Sequence, residues 1–236
     1  MRYRKRLFYK IATKIITNSE AAKLDLSRSF GVPYHKIDVI NNAVRDPATI
    51  GMVKKNKIVF AGRLHQVKGI EVLVRALEIV KEGFEKIELI VIGEDEGTGE
   101  LKKLRTLQKD LHLEHNIKFV GNRSRGYVLE HFATAYCSIV PSFFEAFGYV
   151  VIESFSVRTP VIGSDSTGVS EIVRDNVDGL LFKPGDHKEL AEKIIELMKN
   201  KDLRDRMAEN CYERFLQNYE LNRVVKQFVE KASIFR

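Results

Sequence analysis

The sequence predicts an α/β chain built on a doubly wound parallel sheet. Three observations predict it. Short apolar, β-branched runs recur at 58–61, 87–92, 117–120, 137–140, 160–163 and 179–182. Amphipathic stretches separate them at 70–81, 100–111, 124–133, 149–157 and 188–199. The runs are apolar on both faces, as strands covered on both sides by helices must be. Six such units in succession make one doubly wound domain.

The helix expected at 188–199 is the best signalled. Asp186 and Glu189 form a capping-box pattern after Pro184-Gly185, and Leu190, Ile194 and Leu197 recur at helical spacing. Leu203, Met207, Cys211 and Phe215 carry a second amphipathic stretch, and Leu221, Val224, Val225, Phe228 and Val229 a third. The N-terminal part reads as one βαβ unit: a strand at 14–17, a helix at 19–29 capped by Asn18 or Ser19, and a strand at 37–40. A unit that small cannot bury both faces of its strands, so it implies further sheet neighbours. The division expected is a βαβ unit at 1–45, a linker at 46–56 containing Pro47, the main domain at 57–216, and a terminal helix at 217–236 packing back toward the N-terminal part.

Composition narrows the function. Hydrophobic residues are 44% and charged residues 30% of 236, a composition that allows a packed core and is unlike that of a disordered chain. The net charge is +7, but Arg2, Arg4, Lys5, Arg6, Lys10 and Lys14 supply +6 before the first acid, leaving +7 − 6 = +1 for the rest. A nucleic-acid footprint would spread further, so no nucleic-acid partner is expected. The cluster reads first as a solvated helix face. Because Leu7, Phe8, Tyr9 and Ile11 interleave with the charges, residues 2–14 are also a candidate for peripheral contact with an anionic membrane. No apolar run reaches the roughly 20 residues of a membrane span. Two lone cysteines, Cys137 and Cys211, and no secretory pattern suit a reducing, cytoplasmic setting, with peripheral placement at the inner membrane face as the extension.

Two strand-to-helix corners carry candidate chemistry. After the first strand of the domain stands Ala61-Gly62-Arg63-Leu64-His65-Gln66-Val67-Lys68-Gly69. Two cations five residues apart precede a helix start, a place that already favours anions. Read alone, Arg63 and Lys68 are surface charges as readily as ligands. After the fourth strand stands Pro141-Ser142-Phe143-Phe144-Glu145-Ala146-Phe147-Gly148-Tyr149-Val150-Val151-Ile152-Glu153. Glu145 precedes a helix start, and Glu153 lies inside that helix among apolar residues, where an unpaired charge is costly and a partner is required. A cap for Glu145 and a salt bridge for Glu153 are the plainer readings. Carboxylates also accept hydrogen bonds from vicinal sugar hydroxyls. No histidine, aspartate and glutamate cluster has metal-ligand spacing, so no metal is expected.

Together the two corners resemble the retaining GT-B glycosyltransferases, the group of glycogen synthases, sucrose synthases and cell-surface mannosyl- and glucosyltransferases. The matching segments are Ile15-Ile16-Thr17-Asn18-Ser19, Asp38-Val39-Ile40-Asn41-Asn42, Gly62-Arg63-Leu64 with Lys68-Gly69, Leu89-Ile90-Val91-Ile92-Gly93, Phe119-Val120-Gly121, Val140-Pro141-Ser142, Glu145 to Glu153, and Gly179-Leu180-Leu181. The Glu-x7-Glu pair with Phe147-Gly148 between is the specific part. The resemblance implies a Rossmann-like, C-terminal donor-binding domain and a βαβ remnant of an N-terminal acceptor domain. It implies transfer of a hexose from a nucleoside-diphosphate sugar, with retention, to a glycan or lipid-linked acceptor.

Residue by residue, the resemblance places Arg63 and Lys68 on the donor diphosphate, Glu145 on the transferred sugar and Glu153 on the ribose. Backbone N–H groups of Phe147, Gly148 and Tyr149 would meet sugar and phosphate, and Gly121-Asn122-Arg123 would lie near the nucleobase. No cofactor beyond the sugar nucleotide is implied. A partner chain or a missing N-terminal half is implied for full activity. The sequence departs from the family at Ala43, Ala146, Arg158 and Thr167, where glycine is usual, and none of these removes a charged ligand.

Two other readings stand beside the transferase. One is a non-catalytic nucleotide-sugar-binding subunit. The other is a nucleotide-sugar epimerase, which the Glu145 and Glu153 pattern fits less well. A dinucleotide-dependent dehydrogenase would need Gly-x-Gly-x-x-Gly after a strand, and no strand here has it.

Overall fold

The computed structural model describes residues 9, 11–47 and 54–233. Five members of the basic cluster, Arg2, Arg4, Lys5, Arg6 and Lys10, lie outside the described residues, and with them most of the membrane-contact segment. Lys14 is described, and its ammonium pairs with Asp38 at 3.2 Å.

The chain begins with a parallel pair, β1 (Ile15–Thr17) and β2 (Ile37–Val39), joined through α1 (Glu20–Phe30). Ser19 is the cap of α1: its hydroxyl accepts the N–H of Ala22, and Gly31 ends the helix at φ 69°. Then come β3 (Lys57–Ala61), α2 (Ile70–Gly83), β4 (Glu88–Ile92), α3 (Glu100–Asp110), β5 (Ile117–Gly121), α4 (Arg125–Ala133) and β6 (Cys137–Val140). The chain continues through α5 (Tyr149–Phe155), β7 (Val161–Ser164), α6 (Val169–Ile172), β8 (Gly179–Phe182), α7 (His187–Lys199), α8 (Lys201–Asn218) and α9 (Leu221–Ser233). Residues 217 and 218 therefore belong to α8, and the last two helices separate at Tyr219-Glu220.

Strands β3 to β8 form one parallel sheet in the order β5-β4-β3-β6-β7-β8. Successive residues of a strand face opposite sides, and the core divides accordingly. Ile58, Phe60, Leu89 and Val91 pack with Leu73, Leu77, Leu104, Leu190 and Ile194 beneath α2, α3 and α7. Val59, Ile90 and Ile92 pack on the other side with Phe132 and Ala133 of α4. Each fully buried aliphatic side chain of this kind contributes about 1.5–3 kcal/mol. Cys137 and Cys211 are buried free thiols, and burial pushes the Cys137 thiol up to about 12 and the Cys211 thiol higher still.

The N-terminal unit and the C-terminal helices meet. Val44 donates to the carbonyl of Tyr219 and accepts the N–H of Leu221. Lys231 of α9 donates to the carbonyl of Val39 at 3.0 Å. The described ends of the connecting segment are tied to the domain, Asp46 by the hydroxyl of Tyr212 and Lys54 by Thr159. Among the described residues no helix is long and apolar enough to cross a membrane.

Candidate functional site

The strand order reverses between β3 and β6. The chain leaves β3 toward one edge of the sheet and leaves β6 toward the other, so a crevice opens between the loops that follow them. In open α/β sheets ligands bind in that crevice. Both corners singled out in the sequence are these loops.

The loop after β3 is shaped by its own side chains. His65 Nδ1 accepts the N–H of Val67 at 3.1 Å and starts a short turn, Gln66–Lys68, which Gly69 ends at φ 65° before α2 begins. Gly69 meets two demands at once. Its backbone is left-handed, and an added Cβ would fall 2.0 Å from the carbonyl oxygen of Pro141. Phe143 donates its N–H to the carbonyl of Val67 at 2.9 Å. The two loops are thus joined backbone to backbone.

Across this seam Lys68 Nζ lies 2.6 Å from Glu145 Oε2, with side-chain exposures of 17% and 20%. Such a charge-assisted contact, largely withdrawn from water, is stronger than a surface pair. The loop bearing Glu145 is braced from below. The carbonyl of Ser142 accepts hydroxyls from Ser164 at 2.5 Å and Ser166 at 2.9 Å, and all three serines are buried. Gly168 passes so close to the carbonyl of Glu145 that a Cβ there would lie 2.3 Å from its oxygen.

Arg63 turns outward and pairs with Glu96 at 3.2 Å; both side chains are more than half exposed. Glu153 has the partner its apolar setting demands: Arg125 Nε, at the start of α4, lies 3.1 Å from Glu153 Oε1. Burial pushes the Glu153 carboxyl above its ordinary range, and the Arg125 guanidinium pulls it back in part. Gly121 ends β5 at φ 70°; Asn122 and Arg123 are exposed, and Arg123 lies 5.7 Å from the Tyr127 ring centroid. Phe147 is buried with its ring edge-on to Tyr149 and Tyr219, while Tyr149 itself is half exposed. Among the described residues no acceptor takes the backbone N–H of Phe147, Gly148 or Tyr149 at the start of α5.

The structure therefore joins Lys68 to Glu145 directly, and ties Glu153 to the turn after β5 through Arg125. It does not put Arg63 in contact with either carboxylate of the Glu-x7-Glu pair. Sequence reasoning missed Arg125, the Ser142–Ser164–Ser166 brace and the reach of Glu171, whose carboxylate crosses to the first turn of α1. The demand for a partner at Glu153 was visible in the sequence; which residue meets it was not.

A doubly wound sheet in the order seen here, with a cation–carboxylate pair at its switch point and a βαβ unit docked on the C-terminal helices, is the architecture of the GT-B glycosyltransferases. The chain belongs to the family described as Glycosyl transferases group 1, which matches residues 47–214. It is 25% identical over 238 residues to an uncharacterized glycosyltransferase of Methanocaldococcus jannaschii, covering 94% of this chain and 60% of the relative. It is 25% identical over 187 residues to the alpha-D-kanosaminyltransferase of Streptomyces kanamyceticus, covering 79% and 47%. The chain thus spans from about half to three fifths of the length of these relatives.

Among solved structures, Anabaena HepE in complex with UDP superposes with a TM-score of 0.88 at 22% identity, covering 95% of this chain and 65% of that one. Sucrose-phosphate synthase of Thermosynechococcus elongatus superposes with a TM-score of 0.84 at 21% identity, covering 99% and 61%. At these identities the likeness is one of fold.

Proposed function

We propose that the crevice between the loops after β3 and β6 binds a nucleoside-diphosphate hexose, and that the chain serves a retaining hexosyl transfer whose acceptor side lies in a further N-terminal half. The observation that carries this reading is the Lys68–Glu145 contact at the switch point. It sets a cation suited to the diphosphate beside a carboxylate suited to sugar hydroxyls.

The other roles follow from position. Arg63, on an exposed and easily exchanged pair, swings from Glu96 to the diphosphate. Glu153 accepts hydrogen bonds from the ribose, which favours its ionised form. The free N–H groups of Phe147, Gly148 and Tyr149 meet phosphate or sugar oxygens, and Gly121, Asn122 and Arg123 border the base. As the sugar–phosphate bond breaks, negative charge gathers on the diphosphate, where this reading sets Lys68, the helix starts and, once it has left Glu96, Arg63. Such preorganised stabilisation is usually the largest catalytic contribution. This array supplies the positive field itself, so the reading includes no metal. The complexes of HepE with UDP, and with UDP and glucose, support a sugar nucleotide of this general kind.

Calorimetric titration with UDP, UDP-glucose, GDP-mannose and ADP-glucose tests the proposal. One nucleoside diphosphate series binds the wild type, and Glu153→Ala loses that binding. No binding by any of the four, or equal binding by the variant, overturns it. Alone, the chain transfers poorly, because closure of two halves is what excludes water from such a site.

A further inference from the structure

On the far side of the loop that carries Glu145, a cavity of about 630 Å³ opens between the starts of α2, α3 and α7. Its size falls in the range of small-molecule sites, about 300–1,000 Å³. Neither Lys68, Glu145 nor Glu153 lines it. The walls carry Gln66, Glu71, Arg75, Glu100, Lys103 and Phe143.

Three features of that wall restrict the ligand. First, its carboxylates and its lysine and arginine cations balance: Glu71 and Glu100 stand against Arg75 and Lys103, with His187 the remaining titratable residue of the wall, and Arg75 already donates to Glu71 at 2.7 Å and 2.9 Å. The cavity therefore carries no excess of carboxylates or of lysine and arginine side chains. Second, Glu100 has a side chain only 6% exposed, and among the described residues its carboxylate has no hydrogen-bond donor and one ionic neighbour, Lys103 at 4.0 Å, the outer limit of an ion pair. A carboxylate so loosely paired keeps acceptor capacity for O–H or N–H donors. Third, Phe143 is 49% exposed, with its ring edge resting on Gly185, where an added Cβ would come within 3.3 Å. A half-exposed aromatic beside paired acceptors and donors suits a molecule with apolar C–H faces and many hydroxyls.

We infer that this cavity is a second carbohydrate site, taking a neutral oligosaccharide segment separate from the donor sugar. Glu100 accepts hydroxyl hydrogens, Gln66 and Arg75 offer N–H donors, and Phe143 takes the C–H face of a sugar ring. Phe143 and Glu145 share one loop, and Gln66 and Lys68 another, so a glycan held here sits one loop-width from the donor crevice.

Saturation-transfer NMR and calorimetry with maltotriose, cellotriose and mannotriose test the inference. At least one trisaccharide binds saturably at millimolar concentration. Glu100→Gln weakens it about tenfold, the worth of a hydrogen bond to a charged group. Phe143→Ala weakens it about threefold to tenfold, and Phe143→Tyr, which keeps the aromatic ring, restores it. Glu153→Ala, in the donor crevice, leaves the affinity within twofold. Circular dichroism shows whether each variant is folded, and Phe143→Leu replaces Phe143→Ala if the latter is not. Absence of binding by all three sugars overturns the inference. So does binding that survives both the Glu100 and Phe143 variants, or binding lost in Glu153→Ala.

Discussion

Glu171 accepts the backbone N–H of Ala21 at 2.8 Å from 150 residues further along the chain, and its second oxygen accepts the N–H of Glu20 at 3.0 Å. Ser19 accounts for the next two donors, through its hydroxyl to Ala22 and its carbonyl to Lys23. The first turn of α1 is thereby fully satisfied, half of it by a residue of the main domain. Glu171→Ala removes an anion from a helix start, worth about 1 kcal/mol. Hydrogen exchange at Ala21 accelerates about fivefold while amides in β3 and β4 keep their protection. Unchanged exchange at Ala21 would mean that the contact contributes nothing to holding the helix.

Lys68 and Glu145 answer differently to substitution. Lys68→Ala removes a phosphate-binding cation and weakens nucleoside diphosphate binding about 10- to 100-fold. Glu145→Gln removes a negative charge beside the same phosphates, so free nucleoside diphosphate binds as well or better, while the sugar nucleotide loses affinity. Calorimetry with each ligand separates the two, and parallel losses in both variants would refute the division of roles.

Burial raises the Glu153 carboxyl above its ordinary value of 4.5. The folded chain then holds this proton to higher pH than the unfolded chain does, so the group's contribution to stability falls as pH rises from 4.5 through the raised value. The stability of wild type relative to Glu153→Gln is accordingly flat below 4.5 and declines above it. Arg125→Met removes the opposing charge, so the decline still starts near 4.5 but runs to higher pH and is deeper. Urea midpoints measured across the acid range decide this; a difference that rises with pH contradicts it.

Lys54 runs the other way. Its ammonium is buried against Thr159 and the carbonyl of Arg158, and loss of hydration brings it down from 10.5 to about 8. Between those values the unfolded chain binds the proton and the folded chain does not, so this residue adds stability as pH rises from about 8 to 10.5. Relative to Lys54→Met, the wild type gains over that interval and shows no trend just below it. A flat difference in alkaline urea titrations would show that the amine is hydrated.

Strands were legible where apolar runs were continuous, and their ends failed for local reasons. The run expected at 160–163 is paired as Val161–Ser164, because Pro160 has no N–H to give the ladder. The strand expected from 87 begins at Glu88, since the Ile87 N–H is spent on Phe84 in the preceding turn. The capping box before α7 is half made. Asp186 caps Lys188 and Glu189, but the Glu189 carboxylate reaches back to the N–H of Lys183 instead of Asp186. Helix α6 has four residues, too few for any periodicity. At the site, the carboxyl-end rule brought the two loops to one rim; the direct Lys68–Glu145 contact was not itself readable, since a surface charge and a helix cap were the plainer readings of the two residues. The Arg125–Glu153 pair could not be read, because two residues 28 positions apart on different helices leave no spacing signature.

The burial of Cys137 and Cys211 has a practical side. Both thiols are protonated at neutral pH and enclosed by packed side chains, so a maleimide dye added to the folded chain leaves them untouched. One cysteine introduced on exposed Leu24 of α1 would then be the single labelling position among the described residues, and fluorescence from it would follow the βαβ unit as sugar nucleotide is added.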